Sequence, residues 1–308
     1  MFKVLLSRFL QSVIVLFVLY TITFFLCKAM PGDPLSSEKA MPPHIKKVVE
    51  EYYDLNKPVT VQYANRLGKL LQGDPGPSIR LEGRPVAEII GQAFPISFQL
   101  GVIAMFVAIT IGIPAGCIAA ARRNGLLDTL SMSVAMIGIC LPSFVIGPLL
   151  AEYFGRKLEA LPAYGWSSSN PATWVLPAVT LGLAYAAYLS RLTRAGMLET
   201  LSQDFVRTAR AKGVPGWKIL VRHCLRGGLI PAVAYIGPAF AGIVSGSLVI
   251  ETVFQIPGLG RHFIKSIETR DTSVILGVTM LYGMLVILAN FLTDVAGIWL
   301  NPRLRKSA

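Results

Sequence analysis

The sequence lacks the devices by which a chain does chemistry on its own. No Gly-x4-Gly-Lys-Ser/Thr loop occurs, so it cannot cradle a nucleoside triphosphate by that device. Cysteines number four, Cys27, Cys117, Cys140 and Cys224, and none pairs in a metal-like spacing. Most fall in apolar runs or in one basic segment, which argues against a disulfide framework or a zinc site. Histidines number three. His44 is isolated and reads as a surface residue, and His223 and His262 fall in different loops. No Ser/His/Asp set and no acid–base pair stands out. Charged residues are scarce as well, 15% against 53% hydrophobic, which is too apolar a balance for a soluble domain. Within the apolar runs, apart from Glu251 at the outer end of the fifth, only Asp294 carries a charge, whereas ion-coupled carriers usually bury such groups. It reads as a locally bonded or interfacial carboxylate, with a lumen role as the alternative.

What the chain does have is runs of about twenty apolar residues, the length that spans a bilayer as helix. They predict an all-α polytopic membrane protein with six spans, near residues 9–27, 97–121, 129–151, 174–190, 230–253 and 273–300. A basic residue before the first run also fits a signal peptide. The run is too long for one and no small-residue cleavage site follows, so a retained helix is expected. The organisation is then 1–27, a polar region 28–95, a helical core 96–300 and a tail 301–308. In the polar region Pro31-Gly32-Asp33-Pro34 stops the first helix. Helical patterns follow near 45–53 and 61–71, and Gly73-Asp74-Pro75-Gly76-Pro77 breaks the second. Residues 86–90 lead back to the membrane. Pro114, Pro142, Pro148, Pro177 and Pro238 can kink their spans. Gly138, Gly182, Gly242 and Gly246 allow close packing, and Ser245 and Ser247 are candidates to face a polar path.

The net charge of +12 raises the question of a nucleic-acid partner, but its placement answers it. With the N-terminus inside, the inner segments carry 15 of the 29 Lys and Arg, against three acids, Asp128, Glu199 and Asp204. The positive excess therefore faces the anionic leaflet, as membrane topology favours. No nucleic acid is needed, and both termini are expected in the cytoplasm.

The longest polar break in the second half of the chain is 204–231. It reads as a short helix, a breaker and a second helix. Phe205, Thr208, Ala209 and Lys212 share one face of the first, with Arg207 and Arg210 pointing elsewhere. Lys212-Gly213 reads as a helix end with Gly in the left-handed cap. Pro215 suits the first turn of the next helix, in which Trp217, Leu220, Val221 and Cys224 line one face and Lys218, Arg222 and Arg226 another. Short helices seldom hold alone in water, so this segment is expected to lean on something. It is either a basic loop lying on anionic lipid or a docking element for another protein.

Thr-Ala-Arg-Ala-Lys-Gly at 208–213, Arg-His at 222–223 and Leu-Ile-Pro at 229–231 resemble the coupling segment of ATP-binding-cassette importer permeases, closest to the dipeptide, oligopeptide and nickel group. The general pattern places Glu-Ala-Ala where this chain has Arg207-Thr208-Ala209, so a contact made by that Glu does not carry over. Further resemblance lies in Pro-Gly-Asp-Pro at 31–34, 57–63, 83–86, Leu-Pro-Ala-Tyr-Gly-Trp at 161–166 and the loop 251–261 with Arg270-Asp271. Asn301 stands where Asp is common. The resemblance implies a type I importer permease fold with coupling segment 195–229. It implies docking of a cytoplasmic ATPase at Phe205, Arg207, Thr208, Ala209, Lys212 and Gly213. It also implies a second, similar permease, two ATP-binding subunits carrying ATP and Mg, and an extracytoplasmic binding protein. That protein would contact Glu251, Phe254, Pro257, Gly258, Arg270 and Asp271. This chain itself would hold no cofactor and catalyse nothing. The expected function is ATP-driven import of di- or oligopeptides across a prokaryotic inner membrane. A self-contained or ion-coupled transporter, and a membrane-embedded enzyme, are the rival readings.

Overall fold

A backbone inside lipid must satisfy its own hydrogen bonds, and helices do so within one segment. The computed structural model describes residues 2–31, 47, 50, 51, 53–81 and 84–300, and the regular elements among them are helices. In chain order these are α1 (Phe2–Ala29), α2 (Val59–Leu71), α3 (Val86–Ala121), α4 (Leu126–Cys140), α5 (Ser143–Leu150), α6 (Val175–Leu201), α7 (Asp204–Ala211), α8 (Gly216–Lys218), α9 (Leu225–Gly228), α10 (Ile230–Gly246), α11 (Leu248–Val253), α12 (Leu259–Thr269) and α13 (Thr272–Leu300). The expected helix near 45–53, His44 and the tail with Asn301 lie outside the described residues.

Among the described residues, five helical stretches are long and apolar enough to cross a membrane: Ser7–Ala29, Val86–Ala121, Pro171–Leu201, Ile230–Val253 and Thr272–Thr293. Three corrections to the expected spans follow. The second helix starts at Val86, eleven residues early, and runs on through Gly91 and Pro95 without a break. The fourth does not stop at Arg191 or Arg194 but runs on to Leu201, since charge ends an apolar run without ending a helix. The third is not one rod. Leu126–Cys140 and Ser143–Lys157 meet at 102°. Leu141 is extended (φ −82°, ψ 119°) and Pro142 follows it. The residue before a proline is pushed out of the helical region, which places the corner. Beyond Leu150 the second arm loosens into π-helix over Ala151–Lys157.

The chain divides into two compact units. One comprises residues 2–96 and 258–284. Its core packs Tyr20 and Phe24 of α1 against Leu276 and Met280 of α13, with Tyr63 and Leu67 of α2 alongside. The Tyr20 hydroxyl donates to the Tyr63 carbonyl at 2.9 Å. Gly73 (φ 80°) and Gly76 (φ 83°) make the turns that end α2, in a conformation only glycine takes freely. The other unit comprises 97–257 and 285 onwards. There α6 is the central helix, buried along Leu176, Leu181, Leu189 and Met197. Glycines let it approach its neighbours: a Cβ on Gly182 would lie 2.6 Å from the Ala104 carbonyl oxygen, and one on Gly112 would lie 2.5 Å from that of Ala186.

The Ser245 hydroxyl donates to Ala241 O at 2.8 Å, and the buried Ser247 hydroxyl donates to Glu251 Oε1 at 2.6 Å. The Asp294 side chain lies outside the described residues.

Candidate coupling site and outer loops

Two residues, Ser202 and Gln203, separate the central helix α6 from α7. Eight residues are too few for a stable isolated helix. The support is a small apolar cluster of Ala120, Met197, Val206, Ile219 and Cys224, flanked by Leu198, Leu201, Ala209, Val214 and Leu220. The segment therefore packs on the ends of α3 and α6, and the expectation that it leans on other parts of the chain holds.

On α7, Val206 is fully buried and Ala209 partly so, while Phe205, Arg207, Thr208 and Lys212 are exposed. The expected face of Phe205, Thr208, Ala209 and Lys212 thus borders the buried stripe at Ala209 and is otherwise outward. Gly213 adopts φ 74°, the left-handed cap, and its N–H donates to Arg210 O at 2.9 Å. A Cβ on Gly213 would meet nothing within 4 Å. Its constraint is conformational alone.

The second half of the segment departs from the expected face. Pro215 is the N-cap (φ −63°, ψ 143°), one place before the first helical residue. After α8 the chain widens to π-helix over Ile219–Cys224. That winding, closed by i to i+5 bonds, brings Ile219 and Cys224 to one side, 1% and 0% exposed. Trp217 and Val221, which an α-helical wheel puts on one face with Leu220 and Cys224, are 63% and 61% exposed. Burial pushes the Cys224 thiol above its ordinary pKa. His223 is exposed.

Sequence reasoning gave Asp128 and Arg194 no role beyond the charge balance. The structure joins them: Arg194 Nε donates to Asp128 Oδ1 at 2.6 Å and Nη2 to Oδ2 at 2.8 Å. The pair fixes the start of α4 to α6 just before the coupling segment. A lone Asp after a chain turn and a lone Arg at a span's end carry no spacing signal that links them.

In the same unit the loop at 161–166 meets the one at 251–256. Gly165 (φ 95°) donates its N–H to Phe254 O at 2.8 Å, and the Phe254 ring lies against the position of Gly147. Glu251 and Phe254 are fully buried, and Ile256 N donates to Glu251 O at 2.8 Å. In the other unit Gly258 is buried and Pro257, at the neighbouring position, is exposed. Arg270 ends α12 at φ 59°. Asp271 is 2% exposed and caps α13, accepting from Val274 N at 3.3 Å and from the Ser78 hydroxyl. Arg80 Nε adds a bond to Thr269 O at 2.8 Å. Four of the six residues, Glu251, Phe254, Gly258 and Asp271, are therefore buried, each within its own unit, and Pro257 and Arg270 are the two that reach the surface.

Comparison with known proteins accounts for this arrangement. Residues 112–306 match the family described as binding-protein-dependent transport system inner membrane component. Residues 1–101 match the N-terminal family of the same transport-system membrane components. The chain is 42% identical over 305 residues to the oligopeptide transport system permease protein OppB of Escherichia coli (strain K12), covering 99% of this chain and 100% of the relative. It is 40% identical over 305 residues to the dipeptide transport system permease protein DppB of Bacillus subtilis (strain 168), covering 99% and 98%. Among solved structures, an inward-facing form of the MetNI methionine ABC transporter aligns with TM-score 0.57 at 17% identity, over 69% of this chain and 96% of that one. That likeness shows the fold of a type I importer permease. This helical chain, matched from end to end by permeases, belongs to the family of binding-protein-dependent transport system inner membrane components.

Proposed function

We propose that this chain forms one half of the pore of an ATP-driven importer for di- or oligopeptides. The observation that carries the substrate class is end-to-end likeness to the oligopeptide and dipeptide permeases, at 40–42% identity. The chain is a permease subunit and not itself catalytic, so the energy comes from partners. Two cytoplasmic subunits would bind ATP and Mg and hydrolyse the nucleotide. One would grip α7 through Phe205, Arg207, Thr208, Lys212 and Gly213, which the apolar cluster leaves outward. A second, similar permease would complete the pore, since six spans enclose little on their own. An extracytoplasmic binding protein would deliver the peptide to the outer face, with Pro257 and Arg270 as the accessible members of the outer-loop set. Both termini lie in the cytoplasm on this reading, because the basic residues concentrate on that side. Closure of the ATPases would displace α7, and packed helices would carry that displacement into the pore.

The test is reconstitution in liposomes. The chain with its second permease, ATPases and binding protein is expected to accumulate short peptide only when ATP is supplied inside the cytoplasmic compartment. Uptake by this chain alone, without ATP, would overturn the reading in favour of a self-contained carrier.

A further inference from the structure

Asp128 is an unusual residue for its place. It lies in the first turn of an apolar helix, α4, with its side chain 5% exposed. A buried carboxylate is costly unless paired and hydrogen-bonded, and this one is fully engaged. Arg194 supplies both arms of its fork, at 2.6 and 2.8 Å, and the Asn124 N–H adds a third donor at 2.9 Å. Asn124 sits at φ 63° in the turn between α3 and α4. A bidentate fork fixes orientation as well as distance. The rest of the contact between α4 and α6 is different in kind. It includes close apposition of small apolar groups, with a Cβ on Gly138 falling 3.4 Å from the Ala187 Cβ. Such surfaces pack closely but slide past one another readily, as packed helices do in shear motions. The ion pair, by contrast, has direction.

Its position along α6 matters as much. Arg194 precedes the end of that helix at Leu201 by two turns, and α7 begins at Asp204. Asp128 opens the helix that leads to the 102° corner. We infer that the Asp128–Arg194 pair is the positioning link that carries a displacement of the coupling helix into α4 and the bent arm beyond it. With the pair closed, α6 and α4 move together. With it broken, α7 still moves α6, but α6 shears along α4 and the pore does not follow. This inference rests on α7 being the ATPase dock.

The experiment uses the full complex in liposomes and measures ATP hydrolysis and peptide uptake in the same vesicles. Asp128→Asn is the first variant, because it removes the charge pair yet leaves no carboxylate buried without a partner. The ATPase is expected to co-purify at the wild-type level and hydrolysis to persist, while peptide taken up per ATP falls about tenfold or more. Arg194→Lys should fall in between, as an ammonium supplies charge without the fork. The reversed double variant, D128R with R194D, should recover part of the loss, though not the bond from Asn124. Wild-type uptake per ATP in Asp128→Asn would overturn the inference. So would a reversed pair no better than either single change, or loss of the ATPase from the Asp128→Asn complex, which would make the pair a support of the dock. The docking reading fails separately, if Gly213→Asp keeps its ATPase.

Discussion

Replacing Ile219 with alanine tests the corrected geometry of the coupling segment. Ile219 is 1% exposed and packs with Val206, Met197 and Cys224. Truncating a buried isoleucine to alanine costs about 2–5 kcal/mol, the spread depending on how far the site collapses. This cluster is the core beneath the segment, so most of that cost should appear as local opening rather than as unfolding of the bundle. At about 1.4 kcal/mol per tenfold, the open population rises about 30-fold at the lower bound. Cys224 reports it, being fully buried with its thiol pKa raised by that burial. Opening exposes the sulfur and returns it toward its ordinary acidity, and both effects speed alkylation. Maleimide labelling of Cys224, followed by peptide mass spectrometry to separate it from Cys27, Cys117 and Cys140, should therefore accelerate about 30-fold or more in Ile219→Ala. Trp217→Ala is the control: at 63% exposed it should change stability by no more than about 0.5 kcal/mol and labelling by about twofold. If Trp217→Ala opened the segment as much as Ile219→Ala, the π-helical register would be refuted and the ordinary α-helical face restored.

Gly213→Asn should leave the segment intact, because asparagine tolerates the left-handed region and a side chain there meets open space. Any loss of ATPase co-purification in Gly213→Asn or Gly213→Asp would then come from the partner's surface, and unchanged co-purification and transport in both would count against docking at this turn. Asp271→Ala removes an N-cap, about 0.5–2 kcal/mol, together with bonds from Ser78 and Arg80. Thermal unfolding in detergent should shift downward, with Asp271→Asn in between, and an unshifted midpoint for Asp271→Ala would refute the capping role. His262 has its pKa lowered by burial and then by Arg84, Arg261 and Lys265. A lowered folded pKa means the unfolded chain takes up the proton first, so stability falls as pH drops below the ordinary histidine value of about 6.5. His262→Gln should flatten that acid-side loss in a melting-temperature profile between pH 7 and 5, and an unaltered slope would exclude the residue.

The apolar helices and the polar break after α6 were legible because they rest on composition and on glycine and proline. Gly213 and Gly73 could be read as turns since little else tolerates their backbone. Faces were less legible. The Trp217, Leu220, Val221, Cys224 stripe assumed 3.6 residues per turn, and no residue in Ile219–Cys224 announces a wider winding. The third span read as one rod because hydropathy is blind to direction, although Pro142 was marked as a kink. The outer-loop set shows another limit. A segment that resembles a family motif can owe its residues to internal packing, as Phe254 and Asp271 do, and a single sequence does not separate that from contact with a partner. The Asp128–Arg194 pair was invisible for a simpler reason: 66 positions separate its members, and only the antiparallel course of α4 and α6 brings them together.

The corner at Leu141–Pro142 has a consequence for hydration. Each arm holds 15 residues, Leu126–Cys140 and Ser143–Lys157. At about 1.5 Å per residue either arm is about 22 Å long, short of the roughly 30 Å of a hydrocarbon layer. The joint must then sit at depth, where the carbonyls ending the first arm have lost their helical donors. Lipid tails supply none, so water or neighbouring polypeptide has to wet this elbow from within the bilayer.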